Sequence, residues 1–110
     1  MLIELSAFLI FSLSPAKDKL ERDQYHSALQ AFREDRWDDG ILLMENFVKT
    51  YSRSDLADNA IYWMAQGYLQ KNEPGLARAE LERIIKVYPK GDRAKRALAR
   101  LQILEKDSKP

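Results

Sequence analysis

The 110-residue sequence predicts an all-α fold: a solenoid of helical hairpins, two repeats long, with one further helix at its C-terminal end. Three observations predict it. Across residues 57–91 apolar side chains recur at three-and-four spacing. They run first as Ala57, Ala60, Ile61, Met64, Ala65 and Tyr68, then as Ala77, Leu81, Ile84, Ile85 and Tyr88. The same size classes return at a spacing of 37, which takes Ala65 to Ala28, Phe47 to Ile84, Tyr51 to Tyr88 and Ile61 to Leu98. The breaks also suit helix ends: Pro74 fits a first helical turn, where its missing N–H has no partner to lose, and Pro89 and Gly91 end the helix before them. One hairpin cannot bury such a face alone, so the copies must stack.

Residues 1–16 form an apolar N-terminal segment ahead of a repeat domain over 17–106 and a polar tail over 107–110. Three readings of the segment stay open. The apolar run and the Ser14-Pro15-Ala16 ending suit a secretory signal cleaved after Ala16, although Glu4 stands where Lys or Arg is usual. A second reading is an extra helix packed on the stack. The third is a membrane anchor, but a 14-residue helix reaches only about 21 Å against a hydrocarbon core of about 30 Å.

The first helix, over 17–35, carries Leu20, Tyr25, Ala28, Leu29 and Phe32 on its apolar stripe. The second begins at Trp37, with Asp38 and Asp39 complementing the positive end of its dipole. Its inner face is Ile41, Met44, Phe47, Val48 and Tyr51. Ser54 or Asp55 is placed to cap the third helix, and Asp92 to cap the fifth, over about 92–106. Trp37 is expected in the core. Trp63 lies off the Ile61–Met64–Tyr68 stripe, so packing between repeats and lining a binding surface both stay open.

Much chemistry is missing from the chain. There is no cysteine and one histidine, His26, so neither a thiolate site nor a histidine-based metal site or triad can be assembled. The glycines are isolated, leaving no phosphate loop. Asp38 and Asp39 are adjacent on a helix and do not face each other. The net charge of +1 is uneven: residues 17–58 carry 7 basic and 10 acidic side chains, residues 59–110 carry 11 and 6. That density is below what a nucleic-acid surface needs. These features point away from an enzyme, a cofactor, a metal, a nucleic acid or a small-molecule substrate. Lys86, Lys90, Arg93, Lys95, Arg96 and Arg100 gather near the last corner, as a solvated face or as a site for an acidic partner or anionic lipid.

The pattern resembles the tetratricopeptide repeat (TPR) family. That family alternates large and small positions in its first helix, then has one small and two large positions in its second, then proline. Here these are Ile61, Met64, Ala65, Tyr68, Ala77, Leu81, Ile84 and Pro89. Asn72 and Asp35 take the place of the family's glycine between helices, and both residue types accept left-handed turn geometry. More narrowly, the stretch from Ala57 to Leu98 is similar to the C-terminal TPR region of the periplasmic Tol–Pal-associated cell-division coordinator proteins. Those show Ala-Asp-Asn-Ala-aliphatic-Tyr-Trp where this chain has Ala57–Trp63, and their repeats exceed the usual length of about 34 residues.

The resemblance implies a non-enzymatic adaptor, periplasmic in a bacterial envelope, that binds a protein or peptide partner. The alternative is a cytoplasmic or self-assembling scaffold whose N-terminal helix completes the stack. In stacked hairpins the first helices of each pair line a concave face. The partner-binding residues expected there are Asn59, Tyr62, Gln66 and Leu69, their equivalents Arg22, Tyr25, Leu29 and Phe32, and Arg96 on the last helix. Any membrane contact would come through residues 1–16. A homo-oligomer is also expected, since two repeats and a helix fall short of the three repeats that usually bury a solenoid core.

Overall fold

A computed structural model describes residues 15–109, and the expectations for residues 1–14 lie outside them. It contains five helices: α1 (Pro15–Arg33), α2 (Trp37–Thr50), α3 (Ala57–Gln70), α4 (Pro74–Val87) and α5 (Ala94–Asp107). No strand occurs among the described residues. Each helix packs chiefly on the one before it and the one after it, so the chain is a succession of helical hairpins. The first helix begins two residues before the expected position 17 and ends at Arg33 rather than 35. The last begins at Ala94 rather than 92.

The core follows the periodic stripes. Met44, Phe47, Ile61, Met64, Leu81 and Ile84 are its largest fully buried side chains, and they come from α2, α3 and α4. Ala28, Ala60, Ala65, Ala77 and Ala97 are completely enclosed. Their small size lets the helix backbones approach closely. Glycine goes further at two points. A methyl group at Gly40 would stand 2.9 Å from the Phe32 ring, and one at Gly67 would stand 2.9 Å from both Phe32 and Ile41.

The 37-residue period extends to the backbone of the connections. Asp35 and Asn72, 37 apart, both take φ 59°, in the left-handed region. Past each, a backbone N–H reaches back to a carbonyl in the last helical turn: Arg36 to Ala31 at 2.9 Å and Glu73 to Tyr68 at 2.8 Å. This is the six-to-one bond of a Schellman ending, and it satisfies carbonyls that a helix end otherwise strands. The longer corners match as well: Ser54 N–H to Tyr51 and Gly91 N–H to Tyr88, then Ala57 N–H to Ser54 and Ala94 N–H to Gly91. Asn72→Val puts a β-branched side chain at positive φ and is expected to cost about 1–2 kcal/mol, while Asn72→Gly leaves stability near wild type. Urea denaturation of the two variants measures this directly, and equal midpoints would refute the left-handed assignment.

The corners are closed differently from the expected caps. Ser54 Oγ accepts from the Leu56 N–H at 3.0 Å, just before α3. Asp92 is exposed and makes no capping bond at α5. The Arg93 N–H there donates instead to Asp58 Oδ2, at 3.1 Å, from the first turn of α3. Asp58 is the one buried charged residue among those described, and its other oxygen accepts from the Asn59 N–H at 2.9 Å. A carboxylate so enclosed needs such donors. Farther along, Arg83 of α4 joins Glu45 of α2 at 2.8 Å, linking the two hairpins.

Candidate interaction surface

The expected partner-binding residues divide into three groups. Tyr25 and Phe32 are only 7% and 4% exposed, so they are core residues and do not offer a free contact surface. The Phe32 ring sits between Trp37 at 6.0 Å and Trp63 at 5.5 Å, and that of Tyr25 lies 5.5 Å from Phe47. Leu29, Asn59, Tyr62, Gln66 and Leu69 are half-buried, and Arg22 and Arg96 are exposed.

Trp63 accounts for the burial on α1. Its indole covers Phe32, yet 37% of the residue remains exposed. It therefore packs between α1 and α3 and also borders the outer surface. Burial pushes the Tyr25 hydroxyl above its ordinary pKa, against the opposing effect of Trp63. Trp37 is half-buried against Phe32, at the edge of the core.

The structure brings Asn59 and Tyr62 together through Arg93, which precedes α5. Arg93 Nε donates to Asn59 Oδ1 at 2.5 Å, and its guanidinium carbon stands 5.4 Å from the centre of the Tyr62 ring. A cation over an aromatic face is attracted by the ring quadrupole, and the amide fixes the direction of the fork. Arg96 lies one turn along on the same helix face and is exposed. Arg100 follows one turn further, half-buried, with its Nε enclosed and without a hydrogen-bond partner among the described residues. Arg93 had appeared in the sequence only as one of a basic cluster. Its position 37 residues earlier is Leu56, so the repeat gives no signal for its contact with Asn59.

Other features offer less. A cleft of about 820 Å³ opens between the corners at 52–55 and 87–92, closed at one side by the Tyr88 hydroxyl donating to the Ser52 carbonyl at 2.7 Å. Asp58 reaches into it, but backbone N–H groups already engage both its oxygens. His26 is exposed and touches Tyr25 edge-on. Asp38 and Asp39, at the start of α2, pair with Lys71 at 2.5 Å and Arg36 at 3.0 Å. Among the described residues no three His, Cys, Asp or Glu side chains gather as a metal site, and no helix is long and apolar enough to cross a membrane. No protein-family model matches the chain, and no curated protein matches it.

Proposed function

We propose that this chain is a non-enzymatic protein-interaction module of the TPR type that binds a protein or peptide partner on the face formed by α1, α3 and the start of α5. The observation that carries this is the Arg93 fork, fixed between the Asn59 amide and the Tyr62 ring. Beside it stand the exposed edge of Trp63 and the exposed side chain of Arg96. Tyrosine, tryptophan and arginine contribute most to protein interfaces because each joins apolar area to a directed polar group. A preset arginine also loses less side-chain entropy on binding. The hairpins and the 37-residue repetition of both corners support the TPR assignment. The likeness of Ala57–Trp63 to the envelope coordinator proteins is the ground for placing the module in a bacterial periplasm.

Site-specific photocrosslinking in native cells tests the reading. A photoreactive phenylalanine analogue at Tyr62 is expected to give a discrete adduct, whereas the same probe at exposed Leu42 on α2 gives none. With the adduct partner purified, Arg96→Glu lowers its affinity by about tenfold or more without shifting thermal unfolding. Adducts formed from Leu42 and not from Tyr62, or a partner indifferent to Arg96→Glu, would refute the assignment of this face.

A further inference from the structure

Among the described residues, one face of α5 has no helix packed on it. A shift of 37 residues carries Ala57, Ile61 and Met64 of α3 onto Ala94, Leu98 and Leu101 of α5. On α3, which packs between α2 and α4, Ile61 is 0% and Met64 2% exposed. The helix α5 packs on α4 but has no counterpart of α4 on its other side among the described residues. There Leu98 is 52% exposed, Leu101 and Ala94 are only half-buried, and Ala97 is the one buried residue of the helix. The exposed stripe therefore repeats a surface that, one repeat earlier, is sealed by a hairpin partner.

We propose that α5 of a second copy of this chain covers that stripe, as a two-fold antiparallel pair. The charge pattern of the helix selects this occupant and its direction. Residues 94–100 hold Lys95, Arg96 and Arg100 with no acid, and residues 101–107 hold Glu105 and Asp107 with Lys106. Antiparallel copies bring the basic half of each helix to the acidic half of the other, and parallel copies would oppose like charges. A two-fold axis midway between Leu98 and Leu101 sets each Leu98 on the other copy's Leu101. It also brings exposed Lys95 within one residue of exposed Glu105, which among the described residues is otherwise paired with Lys109 at 4.0 Å. Such an isologous contact closes at two chains. A single 14-residue helix face is smaller than a standard interface of about 1,600 Å², so the pair is weak and dissociates on dilution.

Sedimentation equilibrium of the full chain, from about 20 µM to about 1 mM, tests this in the range where so small a contact should act. A monomer–dimer equilibrium is expected, weakened at least tenfold by Leu98→Glu with unchanged circular dichroism. Lys95→Glu alone should weaken it severalfold, and the double variant Lys95→Glu/Glu105→Lys should restore it. That rescue is specific to the antiparallel arrangement. A chain monomeric throughout the range would overturn the proposal, as would association indifferent to Leu98→Glu. Association abolished by Leu9→Glu but untouched by Leu98→Glu would assign the contact to residues 1–14 and overturn it too.

Discussion

Phe32→Ala is expected to lower the free energy of unfolding by about 3–5 kcal/mol, a large part of the roughly 5–15 kcal/mol available to a small domain. The ring is 4% exposed and lies between two tryptophans on different helices. It also fills the space left by the absent side chains of Gly40 on α2 and Gly67 on α3. Four residues of the two neighbouring helices thus converge on one side chain, and truncation leaves a cavity that rigid neighbouring backbone cannot close. Urea denaturation gives the number. A loss below about 1 kcal/mol, the range of an exposed site, would return Phe32 to the ligand face and refute the packing described for α1 and α3.

Gly67→Ala is expected to destabilise by about 1–3 kcal/mol, against the general preference of helices for alanine. In an open helix interior the substitution gains up to about 1 kcal/mol. Here the new methyl would stand 2.9 Å from Phe32 and 2.9 Å from Ile41, well inside contact distance, and both side chains are enclosed. The two substitutions should couple. In the Phe32→Ala background one of the two obstructions is gone, so the cost of Gly67→Ala falls by more than 0.5 kcal/mol, roughly the threshold of real interaction energies. A Gly67→Ala protein that melts higher than wild type would mean that the helices stand further apart than described.

What the sequence disclosed, and what it withheld, follows from the range of each interaction. Asp35 and Asn72 announced left-handed turns because that preference belongs to a single residue and its own backbone. The inner faces of α2 to α4 were legible because a helix repeats its packing every turn. Tyr25 and Phe32 were misjudged for a different reason. The repeat equates them with Tyr62 and Leu69, which remain half-buried, but the equation ignores what lies across the next helix. Trp63 covers α1, and the residue equivalent to it on α5 is the charged Arg100. A matched position can therefore be core in one repeat and surface in the next. The Arg93–Asn59 bond joins side chains 34 residues apart. Neither periodicity nor capping preference constrains such a pair, so only the fold reveals it. Asp92 makes no cap: α5 begins at Ala94, whose N–H goes to the Gly91 carbonyl, and the Arg93 N–H goes to the enclosed Asp58.

Because packing runs chiefly between helices adjacent in the chain, the free energy that resists opening is graded along the molecule. Seven residues of α3 are buried and one of α5. Of these two helices α5 is therefore expected to open at the smaller cost, in the manner of a subglobal unfolding unit. Its amide hydrogens are expected to exchange faster than those of α3. Whatever helix settles on Leu98 and Leu101 binds only the closed form, so it also slows the fraying of that end. Occupancy of that face and protection of the terminal amides then become two readouts of one equilibrium.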